Sequence, residues 1–244
     1  MTTAEQLIAK WTEFEASLKG TFRDYDKKDA VSFLKAHHIE DIDVQQIDSI
    51  RNIRNAVAHP CRTADGKPFF VLNEEIIPVL DEAIRTVKSL PKVANVLIPL
   101  EKVQICRLGD GIKEVVARMI ERSHSNVPVL SDENLVIGVL SESVMLRIGM
   151  DMMSAKHPKK IRDIMEYLIL GKRRPDRFFF VNKEDPIVSL CQKCHDATKS
   201  NKRAEMFLVT KDGARKGELK GIVTVWDFVE MMEFGNERDR ELAE

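Results

Sequence analysis

The chain has 244 residues, room for roughly two domains, and 43% of them are hydrophobic, which is enough to bury cores. Its 38 basic and 39 acidic residues leave a formal net charge of −1, so any contact with RNA must be local. Residues 1–10 show no signal-peptide pattern, and the apolar stretches are far shorter than a membrane span. We therefore expect a cytoplasmic protein that has no membrane partner.

Residues 1–92 have the periodicity of helices and predict an all-α bundle. Apolar residues recur at helical spacing at about 4–18, 29–37, 43–59 and 74–90. The third of these helices carries an apolar stripe that can bury, formed by Ile47, Ile50, Ile53 and Val57. A polar loop precedes the fourth helix, and we expect Asn73 to cap that helix.

The third helix ends on a polar motif, Arg54-Asn55-Ala56-Val57-Ala58-His59, which Pro60 follows. Asn55 and His59 share one helix face, and we expect the side chains of Arg54 and His59 to be exposed. At a helix C-terminus the dipole favours a protonated imidazole, and an arginine suits a phosphate. This combination fits acid–base chemistry at a phosphodiester. A polar helix face ended by proline is, however, also common in helices without a catalytic role.

The order R-N-x-x-x-H in residues 54–59, with alanine before the histidine, resembles the motif of the HEPN superfamily. These are small helical bundles, and many members are metal-independent ribonucleases; others bind nucleotide or only dimerise. The resemblance implies a homodimer in which two such helices face one cleft. His59 would act as general base or acid for a ribose 2′-hydroxyl, Arg54 would stabilise charge on the phosphate, and Asn55 would orient the phosphate or His59.

From about residue 93 the pattern changes to short apolar strands that alternate with helices, and two stretches repeat each other. We align Ile112, Val115 and Met119 with Ile187, Leu190 and Cys194; Val127-Pro128-Val129-Leu130 with Met206-Phe207-Leu208-Val209; and Gly138-Val139-Leu140-Ser141 with Gly221-Ile222-Val223-Thr224. Each copy reads helix, strand, turn, strand, helix. A repeat of this length predicts two like units that pack together.

These residues resemble the CBS domain, named after cystathionine β-synthase, and the two copies resemble a CBS pair, or Bateman module. The segment 160–165 also looks like the one that introduces a CBS unit. The pair would span 93–233, with a first copy at about 94–148, a second at about 160–233, and a polar tail at 234–244. The expected fold class is α+β, an all-α bundle followed by short β-sheets flanked by helices.

The CBS resemblance implies a regulatory adenine nucleotide, AMP, ADP or ATP, bound through a [ST]-x-x-D tetrad. In such a tetrad the acid holds the ribose hydroxyls, and the Ser or Thr lies near the phosphate. The second copy keeps the tetrad as Thr224-Val225-Trp226-Asp227, whereas the first has Ser141-Glu142-Ser143-Val144, with valine in the place of the acid. We therefore expect one dominant ligand site per chain, at Thr224 and Asp227.

Basic residues between the copies could neutralise a polyphosphate or an RNA backbone, or could form a solvated surface: Lys159, Lys160, Arg162, Lys172, Arg173, Arg174 and Arg177. The apolar run Phe178-Phe179-Phe180-Val181 opens the second copy. In CBS proteins this strand borders the adenine pocket, but its rings could equally belong to the core.

The segment Cys191-Gln192-Lys193-Cys194-His195 has the spacing of a c-type haem attachment site. Helical periodicity instead places both cysteines on the apolar face of a helix. Cys61 and Cys106 have no C-x-x-C partner, so we expect no metal site.

Together these patterns predict a nucleotide-regulated, metal-independent ribonuclease. Its dimeric HEPN active site, formed by Arg54, Asn55 and His59, would cleave RNA under the control of an adenine-nucleotide-sensing CBS pair. The alternative is a non-catalytic adenine-nucleotide sensor whose helical bundle mediates dimerisation or partner docking.

Overall fold

The computed structural model describes residues 2–26, 29–39, 41–58, 65, 71–151, 158–168, 170 and 177–227. Its helices and strands are, in chain order, α1 (Thr3–Thr21), α2 (Ala30–His37), α3 (Val44–Ala58), α4 (Ile76–Ser89), β1 (Ile98–Pro99), β2 (Cys106–Arg107), α5 (Ile112–Glu121), β3 (Asn126–Leu130), β4 (Val136–Ser141), α6 (Glu142–Asp151), α7 (Met165–Leu168), β5 (Phe178–Val181), α8 (Ile187–Lys199), β6 (Met206–Thr210) and β7 (Leu219–Val223). Within these ranges, no helix combines the length and apolar composition needed to cross a membrane.

The chain forms two compact units. The first comprises Met1–Lys92 together with Asp185–Gln192, and the second comprises Val93–Glu184 together with Lys193–Glu244. The boundary at Lys92 follows α4, where the helical pattern of the sequence ends. Asp185–Gln192 reach the first unit from a distant part of the chain, and the Asp185 carboxylate lies 3.8 Å from the Arg23 guanidinium there.

The helices of the first unit begin and end where local chemistry satisfies their free backbone groups. At the start of α1, Thr2 and Glu5 form a capping box, in which each side chain accepts a hydrogen bond from the other residue's backbone N–H. Asp29 caps α2 by accepting from the backbone of Val31. The prediction that Asn73 caps the fourth helix was wrong. Asn73 accepts a hydrogen bond from the backbone of Glu75 in the turn that precedes α4.

One hydrophobic core joins the helices of the first unit. Its fully buried side chains include Leu7, Phe14 and Leu18 from α1, Leu34 from α2, and Leu80 and Val87 from α4. The predicted stripe of α3 is confirmed, since Ile47 and Ile50 are buried while Ile53 and Val57 pack half-buried against the same core. The expected helical bundle at the N-terminus is therefore present.

The second unit contains two sheets of the same design. In the first sheet β2 runs parallel to β3, and β3 runs antiparallel to β4. In the second sheet β5 runs parallel to β6, and β6 runs antiparallel to β7. A short core lies between the sheets, with Leu130 and Val139 from one and Met206 and Leu208 from the other. The repeat in the sequence thus corresponds to two copies of one structural unit.

The segment that precedes each copy packs onto the other copy. Strand β1 precedes the first copy but pairs with β7, which makes it the edge strand of the second sheet. In the same way Ile161, Ile164 and Leu168 precede the second copy but are buried in the core of the first. The ranges expected from the sequence, 94–148 and 160–233, therefore do not coincide with the two packed units.

The repeated glycines explain how these exchanged segments fit. A Cβ atom on Gly138 would lie 2.6 Å from the carbonyl oxygen of Leu168, and one on Gly221 would collide with the carbonyl oxygen of Ile98. Each glycine lets a backbone pass directly over its strand, a close approach that other residues do not allow.

The structure moves the predicted alignment of β3 and β6 by one residue. Gly138 pairs with Val129 and Gly221 pairs with Val209, so Val127 corresponds to Phe207 and the alignment with Met206 was wrong. Because side chains alternate between the two faces of a sheet, this shift decides which face each residue occupies. Val127 faces the helices of its copy, whereas Met206 lies in the core between the sheets.

Candidate functional site

A cleft of about 500 Å³ lies in the second unit, where the ends of both sheets meet the helices that follow. Residues of both copies line it: Ser125, Asn126, Ser141, Glu142, Ser143, Cys194, Thr198, Arg203, Ala204, Glu205, Val225 and Trp226. We call it the central cleft. Its lining combines hydroxyl groups, the guanidinium of Arg203 and the indole ring of Trp226, which is 81% exposed.

Three residues of the first-copy tetrad, Ser141, Glu142 and Ser143, line the central cleft at the start of α6. Ser141 ends β4, and its hydroxyl accepts a hydrogen bond from the backbone of Val144 at 3.3 Å, which caps α6. The hydroxyls of Ser141 and Ser143 are 2.9 Å apart. The valine in the fourth position therefore has a backbone role in the cap, and its side chain brings no charge to the site.

In the second-copy tetrad, the carboxylate of Asp227 binds Thr224. The Asp227 carboxylate oxygen Oδ2 accepts hydrogen bonds from the backbone N–H of Thr224 at 2.6 Å and from the Thr224 hydroxyl at 2.7 Å. The other oxygen, Oδ1, takes part in neither bond. The structure thus brings together the two predicted ligand residues, which do not line the central cleft, while the two residues between them, Val225 and Trp226, do.

A second, much smaller cavity of about 40 Å³ lies beside the first-copy tetrad; we call it the first-copy pocket. It is lined by Val139, Ser141, Ser143, Val144, Arg147, Tyr167, Leu168, Leu170, Arg177, Phe178 and Glu205. Ser141, Ser143 and Glu205 also line the central cleft, so the two cavities adjoin. Two of these lining residues form an ion pair, the Arg177 guanidinium with the Glu205 carboxylate.

The described members of the predicted basic cluster do not all lie at the same site. Of its members that the structure describes, Arg177 lines the first-copy pocket, whereas Lys159, Lys160 and Arg162 line neither cavity. Lys172, Arg173 and Arg174 lie outside the described residues. Sequence reasoning missed Arg147 and Glu205, because neither belongs to a motif and each reaches the pocket from a distant part of the chain.

The aromatic run borders both a cavity and the core. Phe178 lines the first-copy pocket, and both Phe178 and Phe180 pack against the core between the sheets. Phe179 stacks on Phe207, with ring centroids 5.7 Å apart. The strand therefore contributes to a cavity wall and to the core at the same time.

Burial favours the neutral form of two cysteine thiols, those of Cys106 and Cys191. Burial raises the pKa of Cys106 to about 12, with a smaller contribution from the nearby Asp110 carboxylate. Burial also raises the pKa of Cys191. Since the thiolate is the form that binds metals and attacks substrates, these side chains behave as apolar residues. Across the described part of the chain, no cluster of three His, Cys, Asp or Glu residues could hold a metal ion.

In the helical bundle the motif residues Arg54 and Asn55 contact each other. The Arg54 guanidinium donates a hydrogen bond to Asn55 Oδ1 at 3.0 Å. Asn55 is exposed, but Arg54 is half-buried, so the prediction of an exposed Arg54 was wrong. Its Nε atom is buried and has no hydrogen-bond partner among the described residues. His59 lies outside the described residues, as does Cys61.

Arg51, one turn before Asn55, belongs to a different network. Its guanidinium lies 2.6 Å from the Asp48 carboxylate and 3.2 Å from that of Asp29, the cap of α2. This ion pair ties α3 to the start of α2 and leaves Arg54 and Asn55 as the polar pair at the C-terminal end of α3.

Comparison with known proteins identifies the fold of the second unit. Residues 93–151 match the family model of the CBS domain. The second copy repeats the strand pairing of the first, so the predicted class, N-terminal helices followed by a CBS pair with small sheets, is confirmed. The family match lies outside residues 1–92, and the HEPN resemblance stays a prediction. No curated protein sequence matches the chain.

Among solved structures, the chain is similar to CBSX2 in complex with AMP, at 15% identity and a TM-score of 0.46, covering 60% of this chain and 98% of that one. It is also similar to CbpB in complex with c-di-AMP, at 17% identity and a TM-score of 0.46, covering 62% and 91% of the two chains. CBSX2 from Arabidopsis thaliana matches at 16% identity with a TM-score of 0.44, covering 61% and 99%.

Proposed function

We propose that this protein is a regulatory protein that senses an adenine nucleotide through its CBS pair. The observation that carries the proposal is the lining of the central cleft, where an exposed indole, a guanidinium and several hydroxyls converge. The Trp226 ring offers a stacking surface to a base, and Arg203 offers a charge-assisted partner to a phosphate. A volume of about 500 Å³ suits a small-molecule ligand.

We assign the ribose to Asp227. It follows Trp226 directly, and both of its hydrogen bonds from Thr224 end on Oδ2, which leaves Oδ1 for the ribose hydroxyls. Thr224 fixes the carboxylate and, as the residue that precedes the helix start, would lie near the phosphate. In this proposal AMP, ADP or ATP occupies one dominant site per chain.

Tryptophan fluorescence tests the proposed site directly, since the chain has two tryptophans and Trp11 is only 2% exposed. Titration with AMP, ADP or ATP should quench the emission of Trp226, and Trp226→Phe should abolish the change. Trp11→Phe is the matched control and should keep it. Quenching that survives Trp226→Phe, or the absence of any nucleotide binding, would contradict the proposed site.

We further propose a metal-independent ribonuclease site in the bundle, supported by the bond between Arg54 and Asn55. An asparagine that positions the guanidinium leaves its charge directed to a phosphate, which is the arrangement that stabilises a phosphorane-like transition state. His59 would be the general base or acid. The site needs two chains, so this proposal includes a homodimer with RNA as its substrate, and nucleotide binding would change the cleavage rate through coupling between the two sites.

An RNA-cleavage assay in EDTA separates this enzyme from the non-catalytic alternative. Cleavage should persist without metal and leave 2′,3′-cyclic phosphate ends, and His59→Ala or Arg54→Ala should remove most of it. Asn52→Ala, an exposed asparagine on the same helix, is the matched control. Activity that survives His59→Ala, or a stable monomer in light scattering, would leave the non-catalytic sensor as the function, with the bundle serving for partner docking.

A further inference from the structure

The first-copy pocket holds two arginines in very little space. Arg147 comes from α6 and Arg177 from the residue before β5, and both side chains are half-buried. The cavity of about 40 Å³ has room for about one water molecule. Apolar side chains, among them Val144, Leu168 and Phe178, form the rest of its wall. Two cations beside an apolar wall are suited to a phosphorylated ligand, but the pocket is too small to admit one.

Glu205 supplies the one carboxylate among the described residues that line the first-copy pocket. Its carboxylate pairs with the Arg177 guanidinium, and the two side chains are only 21% and 29% exposed. The backbone holds them together as well, since the Glu205 N–H donates to the Arg177 carbonyl oxygen at 2.8 Å. Both residues directly precede paired positions of the parallel strands β5 and β6, Phe178 and Met206. The sheet itself therefore places the ion pair.

The first copy has no counterpart of this carboxylate. From the strand register, Ser125 is the residue that corresponds to Glu205, because each directly precedes the equivalent strands β3 and β6. Ser125 and Glu205 both line the central cleft. The pocket whose own tetrad lacks an acid, at Val144, thus receives a carboxylate from the opposite wall. That carboxylate is bonded to one of the two arginines that a phosphate would need.

We propose that Glu205 is an internal competitor for Arg177, and that a nucleotide phosphate entering from the central cleft displaces it. The inference rests on the proposed nucleotide-sensing function and names how that site is regulated. Glu205, Ser141 and Ser143 line both cavities, so a phosphate in the cleft lies beside the ion pair. A phosphate in the place of the carboxylate gives Arg177 a new anionic partner, and the movement of the Glu205 side chain away from Arg177 enlarges the first-copy pocket.

The competing assignment makes Glu205 the acceptor of ribose hydroxyls in place of Val144. The geometry favours competition, because the carboxylate is already bonded to Arg177 and the pocket has no room for a ribose. The two assignments predict opposite changes in nucleotide affinity when the charge of Glu205 is removed. If Glu205 competes with the ligand, then neutralising it strengthens nucleotide binding; if it accepts ribose hydroxyls, then the same change weakens binding.

Calorimetric titration of the full chain with AMP and with adenosine tests the inference. Glu205→Gln keeps the shape of the side chain and removes its charge, and we expect it to tighten AMP binding about fivefold, the upper range for a partly exposed ion pair. Adenosine binding should not change, because it carries no phosphate. Glu218→Gln is the matched control, because the Glu218 carboxylate also pairs with a cation, Lys220, but lines neither cavity, and it should leave both affinities as they are.

Arg177→Ala supplies the second comparison. In that background Glu205→Gln should give no gain, since the group for which carboxylate and phosphate compete is absent. Weaker AMP binding by Glu205→Gln, an equal gain for adenosine, or an equal gain from Glu218→Gln would each overturn the inference. If the wild-type chain binds AMP and quenches Trp226 but Glu205→Gln behaves identically, then only the competition is wrong. If neither protein binds any nucleotide, then the proposed function is wrong as well.

Discussion

The two copies of the CBS pair share the residues that build the sheets and differ in those that face a ligand. Gly138 and Gly221 occupy the same strand position, and each lies under a backbone that crosses from the other copy. In the tetrads, Asp227 of the second copy corresponds to Val144 of the first, and at the cavities Glu205 of the second copy corresponds to Ser125 of the first. Comparing the copies therefore separates the requirements of packing, which are duplicated, from those of binding, which are not.

The largest effect should come from the shared glycines. Gly221→Ala places a Cβ against the Ile98 carbonyl, and Gly138→Ala places one 2.6 Å from that of Leu168. Both neighbours are backbone atoms of a packed segment, so relief requires the segment to move. Overpacking of this kind costs about 1–3 kcal/mol of unfolding free energy, and we expect Gly221→Ala to lie at the upper end. Urea denaturation measures both variants.

Gly149→Ala is the matched control for these variants. Gly149 lies in α6, where an added Cβ would meet no atom of another described segment within 4 Å, so alanine should stabilise the protein by up to about 1 kcal/mol through helix propensity. A Gly221→Ala protein as stable as wild type would show that the crossing of β1 over the second sheet does not depend on the glycine.

The second-largest effect should come from Asp227, the acid that the second-copy tetrad has and the first-copy tetrad lacks. Asp227→Ala removes a carboxylate that we assign to the ribose, and the loss of charged hydrogen bonds should weaken AMP binding at least about tenfold. Val144→Ala should change little. Because Asp227 also accepts two bonds from Thr224, its alanine variant should lose stability too. Asp227→Asn retains an oxygen for Thr224 and separates the two roles, since it should weaken binding while keeping most of the stability.

Calorimetry with AMP, ADP and ATP measures the number of sites per chain and how the affinity depends on Asp227. Two equal sites per chain, or an affinity that does not respond to Asp227→Asn, would show that the second-copy tetrad only caps its helix. In that case the two copies would be equivalent in binding as they are in packing.

Local patterns in the sequence predicted the features that depend on neighbouring residues, such as the buried face of a helix and the repeated strands. The stripe that contains Ile47 and Ile50 fixed the buried face of α3, and the repeated G-[VI]-[LV]-[ST] segment revealed the two copies. The register between copies was missed because nearly all residues of β3 and β6 are buried, so no alternation of polar and apolar residues marks the faces. The correct register follows from Gly138 and Gly221, which pair with Val129 and Val209.

Contacts between distant residues could not be predicted in this way. Strand β1 has only two residues, Ile98 and Pro99, too few to show a period, and it pairs with a strand more than a hundred positions later. The Arg177–Glu205 ion pair depends on the parallel alignment of β5 and β6, which no motif encodes. Both features follow from the topology, and only the structure supplies the topology.

The smallest effect concerns a thiol present in one copy alone. Cys106 of β2 corresponds in register to Val181 of β5, since they pair with the equivalent residues Val129 and Val209. Burial raises the pKa of Cys106 to about 12 in the folded protein, against about 9 for the free thiol. As the pH rises above 9, the thiol ionises in the unfolded chain but not in the folded one. Its contribution is therefore intact below pH 9 and is lost between pH 9 and 12.

Cys106→Val gives the first copy the residue that the second copy already has and should remove this dependence. At pH 10 the wild type should lose about 1 kcal/mol of unfolding free energy relative to pH 8, beyond any loss in the variant. Other alkaline groups, such as Tyr25, whose pKa burial raises to about 12, are common to both proteins and cancel in the difference. Parallel pH dependence of the two proteins in urea denaturation would show that the thiol does not stay neutral in the folded core.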